Sequence, residues 1–224
     1  MKAACYCATR NLYDALLAPL KSLLANSGVE RVYLLIEDDR FPYPLPSCVQ
    51  CINVSAQPYF RPDGPNYHSG WTWMVLMRAA LHRVFPDLDS ILSLDVDTIV
   101  AQDISPLWDL PLEGHWLAAV REPQRSQKGL YINAGVMLLN LRQLRADGKG
   151  DELIEALNTR PYDYNEQDCI SELCRGGILE IPSVYNANAF TEPTATRAIV
   201  HYAATPWWRT EPLPLYWRDQ PWPR

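Results

Sequence analysis

The stretch LDSILSLDVDTIVAQDISPLW, residues 88–108, decides how the rest of the chain is read. A short apolar run, Ile91 to Leu94 with Ser93 inside it, delivers Asp95 and Asp97, and a second apolar step, Ile99 and Val100, follows before Asp103. Two carboxylates at a strand end offer hard oxygen ligands to Mg2+ or Mn2+, ions that keep positions open for diphosphate oxygens. The same Asp-x-Asp also fits a polar turn between two strands, since Asp favours turns. On an ideal strand, residues two apart point the same way but lie about 6 to 7 Å apart. A turn starting near Asp95 is therefore required before both carboxylates meet one ion.

Outward from this stretch, strands and helices alternate. Residues 3–9, AACYCAT, read as a buried first strand. Leu12, Leu16, Leu17, Leu20, Leu23 and Leu24 then recur at helical spacing over residues 12–25, with a kink expected at Pro19. RVYLLI, residues 31–36, is a second strand ended by Glu37, Asp38 and Asp39, and the proline-rich residues 40–70 hold a short strand at 49–54. A helix is expected over 71–85, stopped by Pro86. Further strands are expected at 116–120, within 131–140, after Gly176 and at 198–202. Helices fall at 142–157, interrupted near Gly148 and Gly150, and at 166–173. This alternation predicts an α/β fold with a mostly parallel central sheet and a Rossmann-like N-terminal half. Asp95 then sits at the carboxyl edge, where ligands bind in open α/β sheets. Residues 1–224 read as one domain, with 203–224 a tail rich in Pro and Trp that wraps the surface.

Composition narrows the partners. The chain has 224 residues, 48% of them hydrophobic, and 26 acidic against 20 basic residues give a net charge of -6. That balance argues against a nucleic-acid backbone as partner, which needs a concentrated positive footprint. A phosphorylated small molecule remains accessible where a metal supplies the charge. Eight Trp and twelve Tyr suit sites for flat or ring-shaped ligands as well as cores. Cys48 and Cys51 have the spacing of a redox pair or zinc half-site, but no second pair matches them, and all six cysteines read as reduced structural thiols. The N-terminus lacks a signal-peptide core, and no segment approaches eighteen uninterrupted apolar residues, so a cytoplasmic location is expected.

No GxGxxG follows the first strand, and neither GxxxxGK[ST] nor GxSxG occurs. Among the four histidines, His201 ends an apolar strand, where a neutral imidazole can join the ion held by Asp95 and Asp97; a structural histidine fits that place equally well. Asn133 and Gly135 precede the run Val136 to Leu139, where an amide can meet a sugar hydroxyl and Gly permits close backbone approach.

Taken together, CATRNLYDALLAPLKSLL (7–24), MRAALHRVFPDLDSILSLDVDTIVAQDISPLW (77–108), YINAGVMLLNLRQLR (131–145), EQDCISEL (166–173), YNANAF (185–190) and IVHYAATPW (199–207) occur in one order over nearly the whole chain. In these blocks the chain resembles glycosyltransferase family 8, the retaining nucleotide-sugar enzymes that include glycogenin and bacterial lipopolysaccharide galactosyl- and glucosyltransferases. The resemblance implies a GT-A fold and transfer of glucose or galactose from a UDP-sugar to a saccharide or glycolipid acceptor. It implies Asp95, Asp97 and His201 as ligands of Mn2+ (or Mg2+), with Asp95 also facing the donor. Ala8, Thr9, Asn11 and Tyr13 would hold the uridine, Tyr13 against the base. Arg78 would reach the donor sugar and the acidic pair, while Asn133, Gln167 and Asp168 would serve near the anomeric carbon and sugar hydroxyls.

Two departures stand out. Glu166 occupies the first position of the family's DQD. In place of HxxGxxKPW the chain has HYAATPWWR at 201–209, without the Gly and the Lys. The Lys normally approaches the diphosphate, and Arg209 is expected to take over its charge. The alternatives to a transferase are a nucleotidyltransferase making a nucleotide-sugar, disfavoured by the missing Gly-rich loop, and a carbohydrate-binding protein of the same fold without turnover.

Overall fold

The expected βαβ opening is present as β1 (Ala3–Ala8), α1 (Tyr13–Asn26) and β2 (Arg31–Ile36). The computed structural model describes residues 1–205 and 207–223, Lys128 by its backbone alone; Pro206 and Arg224, both in the 203–224 tail, lie outside the described residues. β1 is covered on both faces, which its small residues allow: Ala3 and Cys5 join one apolar cluster, and Ala4, Tyr6 and Ala8 the other. Pro19 stays inside α1, where its carbonyl oxygen accepts from the Ser22 hydroxyl at 2.8 Å and from the Tyr6 hydroxyl at 3.3 Å.

The chain continues through β3 (Val49–Asn53), a 3-10 helix Trp73–Ala80 leading into α2 (Leu81–Val84), β4 (Ser90–Leu94), β5 (Thr98–Val100), β6 (Leu117–Arg121) and β7 (Ile132–Asn140). Next come α3 (Leu141–Ala146), α4 (Lys149–Thr159), α5 (Asn165–Leu173), β8 (Ile178–Glu180), β9 (Ile199–His201) and α6 (Pro212–Asp219). The main sheet has the order β3-β2-β1-β4-β7-β6-β8. The two pairs made by β7 are antiparallel and the other pairs are parallel, so the sheet is mixed but mostly parallel.

Two local outcomes differ from the sequence expectation. The helix expected over 71–85 is wound mostly as 3-10, which aligns residues three apart and stacks Met74, Met77 and Ala80 into one buried ridge. The final strand leaves the main sheet: β9 pairs antiparallel with β5 in a two-stranded sheet, Thr98 opposite His201. The interruption expected near Gly148 within 142–157 is present: α3 and α4 are separated at Gly148, whose φ of 66° is left-handed and suits a residue without Cβ.

The irregularity that matters most lies in β7. Ala119 of β6 is opposite Met137, but the next residue, Val120, is opposite Asn133, which leaves Ala134, Gly135 and Val136 unopposed on that side. A bulge of this kind bends a strand and releases backbone groups from the ladder. Side chains change faces across it: Ile132 and Ala134 share one cluster with Met137 and Leu139, while Val136 and Leu138 face the other.

At the C-terminus, Trp208 is buried and α6 packs against α1. The Lys21 ammonium donates to the carbonyl oxygens of Arg218 and Gln220, each at 2.6 Å, closing the end of α6.

Candidate active site

Asp95 and Asp97 follow β4 directly, at the carboxyl edge of the sheet beside β1. The Asp95 N–H donates to the Gly135 carbonyl oxygen at 2.8 Å, and Thr98 returns both its N–H (3.2 Å) and its hydroxyl (2.7 Å) to the Asp95 carbonyl oxygen. This is the turn that the strand geometry required. Because β9 pairs with β5, His201 arrives opposite Thr98, and the Tyr202 N–H donates to the Asp97 carbonyl oxygen at 3.0 Å.

His201 Nε2 lies 3.3 Å from Asp97 Oδ1 and 3.7 Å from Asp95 Oδ2. One ligating atom from each of the three residues falls within 4.8 Å of the others. His201 Nδ1 lies 2.8 Å from Asn186 Oδ1, a partner that holds the ring proton on Nδ1 and leaves the Nε2 lone pair facing the carboxylates. Two carboxylates and one imidazole nitrogen fit a divalent ion such as Mn2+ or Mg2+. In the metal-free protein, burial disfavours a charged His201, but Asp97 and Asp95 outweigh it and raise the imidazole pKa. Burial likewise opposes charge on Asp97, yet His201 prevails and lowers its pKa. Ion binding would displace that shared proton.

Arg78 comes from the 3-10 helix and is 8% exposed. Its Nη2 lies 2.6 Å from Asp95 Oδ1, while Nη1 lies 3.2 Å from Glu166 Oε1 and donates to the Ala134 carbonyl oxygen at 2.9 Å. Burial pushes the Glu166 carboxyl up to about 7, with Arg78 opposing.

The bulge in β7 supplies the opposite wall, and its released backbone groups are taken by site residues. Besides the carbonyl contacts to Arg78 and Asp95, the Ala134 N–H donates to Gln167 Oε1 at 2.9 Å and the Gly135 N–H to Asn133 Oδ1 at 3.1 Å. Gln167 Nε2 donates to the Tyr131 hydroxyl at 3.1 Å and reaches Glu122 Oε1 at 3.5 Å, so the amide is held at both ends. Asn133 Nδ2 donates to Glu122 Oε1 at 2.7 Å. Burial raises the Glu122 pKa, with Asn133 and Arg125 opposing.

These groups line a cavity of about 390 Å3 that contains Asp95, Asp97, His201, Arg78, Asn133 and Gln167. Asp168 stands behind Gln167, its carboxylate accepting from the Tyr131 hydroxyl and from the Tyr164 N–H at 2.8 Å. A second, more open cavity of about 650 Å3 is lined by Asn11 and Tyr13, with Arg10, Asp38 and Tyr43. Tyr13 donates through its hydroxyl to Asp38 Oδ2 at 3.0 Å, and Arg10 pairs with the same carboxylate. Thr9 donates through its hydroxyl to Asn11 Oδ1 at 2.6 Å, and Ala8 is buried at the end of β1. Arg209 is exposed in the 3-10 turn Trp208–Thr210, outside the lining of both cavities.

Sequence reasoning did not single out Glu122 or Asn186. Glu122 is an acid just past the apolar Leu117–Val120, and Asn186 lies in the YNAN loop, whose amides chain Asn133 to His201: Asn186 Nδ2 donates to Asn133 Oδ1 at 2.9 Å.

Residues 44–210 match the glycosyl transferase family 8 profile. The chain belongs to glycosyl transferase family 8. The family 8 chain is 28% identical over 191 residues to the lipopolysaccharide 1,2-glucosyltransferase of Escherichia coli (strain K12), a match covering 66% of this chain and 56% of that protein. It is 26% identical over 135 residues to General stress protein A of Bacillus subtilis (strain 168), covering 51% and 47%. The chain thus spans about half the length of these curated relatives. Among solved structures it superposes on the glycosyltransferase GlyE of Streptococcus pneumoniae TIGR4 with a TM-score of 0.73 at 20% identity, covering 99% of this chain and 61% of that one. It superposes on the galactosyltransferase LgtC, solved with donor and acceptor sugar analogs, with a TM-score of 0.67 at 22% identity, covering 91% and 87%. These likenesses give the family 8 chain its GT-A-like fold.

Proposed function

We propose that the chain is a divalent-metal-dependent, retaining glycosyltransferase that moves a hexose, glucose or galactose, from a UDP-sugar to the hydroxyl of a saccharide or glycolipid acceptor. One observation carries the reading: Asp95, Asp97 and His201 converge in the cavity whose walls are Arg78, Asn133 and Gln167. The hexosyltransferase names of the Escherichia coli relative and of LgtC support the donor class. We take residues 1–224 as one domain whose tail, 203–224, is anchored through Trp208 and α6. We also assign the chain to the cytoplasm: the six cysteines are free thiols, and among the described residues no helix is long and apolar enough to cross a membrane.

A bound Mn2+ or Mg2+ would act as a Lewis acid on the diphosphate leaving group. Asp95, Asp97 and His201 would hold it, and Arg78 keeps the Asp95 carboxylate in place while reaching toward the donor sugar. Ala8, Thr9, Asn11 and Tyr13 bind the uridine at the β1 edge, and Arg209 is the cation on the segment after His201 assigned to the diphosphate. Gln167 orients the donor rather than attacking it, because its oxygen is engaged by the Ala134 N–H and an amide is a weak nucleophile. Asn133 and Asp168 fix the surrounding hydroxyl and amide positions, so the acceptor oxygen meets the anomeric carbon from the face that the UDP leaves.

Calorimetric titration with UDP in the presence and absence of Mn2+, followed by assay of UDP release from UDP-glucose and UDP-galactose, tests the reading. Metal-dependent UDP binding and an α-configured product by NMR are expected. Pyrophosphate release from a nucleoside triphosphate would instead indicate the nucleotidyltransferase, and sugar binding without any turnover the binding protein.

A further inference from the structure

The two edges of the main sheet are finished differently. β8 is three residues long and ends in Glu180, whose carboxylate pairs with Arg121 at 2.8 Å; a short, charged edge gives another strand little to bind. β3, VQCIN, carries no charge, proline or glycine, and Val49, Cys51 and Ile52 are half-buried at the rims of the two apolar clusters. An edge of this composition is a template for a further strand.

Register fixes which backbone groups the edge offers. The Val32 N–H donates to the Cys48 carbonyl oxygen and the Val54 N–H to the Ile36 carbonyl oxygen. In the parallel ladder with β2, the N–H and C=O of Gln50 and Ile52 therefore turn inward, and those of Val49, Cys51 and Asn53 turn outward. The Val49 N–H is taken by the Pro46 carbonyl oxygen at 2.9 Å. The Val49 C=O, both groups of Cys51 and the Asn53 N–H meet no backbone partner among the described residues.

A second copy, turned about a two-fold axis at Cys51, satisfies these groups. Directly opposite residues of an antiparallel pair exchange N–H and C=O, so Cys51 would bond its own copy in both directions. The Asn53 N–H of each chain would donate to the Val49 C=O of the other, and only the Asn53 C=O, opposite the occupied Val49 N–H, is left to water. Charge favours the same rotation. Arg31 reaches past the start of β3 to the Ser47 carbonyl oxygen at 3.2 Å, and Asp39 stands at its end, accepting from the Asn53 amide at 2.8 Å. Lys2 and Arg31 against Glu30 make the first end net positive; Glu37, Asp38 and Asp39 against Arg10 and Arg40 make the other net negative. The two-fold brings Arg31 of one chain toward Asp39 of the other.

We propose that the β3 edge is a self-association surface, at which two copies of this chain join their sheets antiparallel about a two-fold axis at Cys51. The contact is isologous and consumes the open edge of both chains, so assembly closes at the dimer.

Sedimentation velocity of the full chain under reducing conditions, over a wide range of concentration, tests the proposal. A reversible monomer–dimer equilibrium is expected. Cys51→Pro removes the outward N–H without touching the β2 ladder, since proline is tolerated where an edge N–H faces solvent. It is expected to raise the dissociation constant of the dimer at least about tenfold, the scale of two lost hydrogen bonds. Arg31→Glu and Asp39→Arg should each weaken the dimer and the double variant recover it, a comparison that decides the question should Cys51→Pro fail to fold. A wild type that stays monomeric at every concentration overturns the proposal and leaves the edge to a different chain. Open-ended assembly overturns it as well, as does a dimer unmoved by a folded Cys51→Pro or a charge swap without recovery.

Discussion

Gly135 and His201 exclude any side chain between them: a Cβ on Gly135 would stand 2.7 Å from His201 Nδ1. The obstacle is a ring fixed by Asn186 and facing Asp97, so neither partner can retreat without undoing the cluster. Gly135→Ala is therefore expected to destabilise the fold by about 1–3 kcal/mol through overpacking. It should also weaken Mn2+ binding while leaving all three ligands present. Urea unfolding and Mn2+ titration calorimetry on the same variant check both effects.

Asp97→Asn keeps the shape of the side chain and removes its charge. Loss of a group that merely supports a metal ligand costs about 10- to 100-fold, so losing a direct ligand is expected to lower Mn2+-dependent UDP release by at least about a hundredfold. Unchanged metal-dependent turnover would remove the Asp95–Asp97–His201 cluster from the mechanism.

Glu166 gives a pH signature. Burial raises its carboxyl from 4.5 to about 7, so between these values the folded chain holds a proton that the unfolded chain has released. The stabilisation is fully present below about pH 4.5 and is lost as pH rises toward about 7, a contribution of about 3 kcal/mol. Glu166→Gln cannot titrate there. The metal-free wild type should lose stability relative to Glu166→Gln across that window, as read from urea midpoints at successive pH values.

Ala204 has a φ of 60°, at the position where the family pattern HxxGxxKPW places Gly. The left-handed conformation costs an L-residue roughly 1–2 kcal/mol, and part of that is returned by glycine despite its freer unfolded chain. Ala204→Gly is expected to raise the melting temperature by about 2–4 °C. Differential scanning calorimetry would show it.

Arg209 is the simplest replacement for the missing lysine. Arg209→Ala is expected to weaken UDP binding in the presence of Mn2+ by roughly tenfold, the scale of one charge-assisted contact. Calorimetry showing an unchanged affinity would pass the diphosphate charge to the metal ion.

The frame of the fold was legible because its signals are local. AACYCA and RVYLLI read as buried strands, the leucine spacing marks α1, and Asp95 and Asp97 sit after the strand that precedes them. His201 was legible as a strand end. Its strand partner β5 was not, since three residues carry no periodic signal and pairing is a tertiary matter. Glu122 escaped because an acid following an apolar run looks like a solvated strand end, and its burial depends on a bulge that Asn133 and Gly135 permit without announcing. The 3-10 winding around Arg78 was hidden for a related reason: its apolar spacing fits either helix, and packing chooses between them.

The bulge in β7 also determines which kinds of genetic change the protein can survive. Since Met137 and Leu139 share a face with Ile132 and Ala134 only because parity changes across Gly135, deleting one residue here would turn one half of the strand inside out. A substitution at Ala134 alters one side chain, whereas its backbone contacts to Arg78 and Gln167 persist. Length is therefore tightly constrained in this segment: an insertion or deletion strikes the core and the site at once, while a point change at Ala134 leaves the backbone contacts to the site in place.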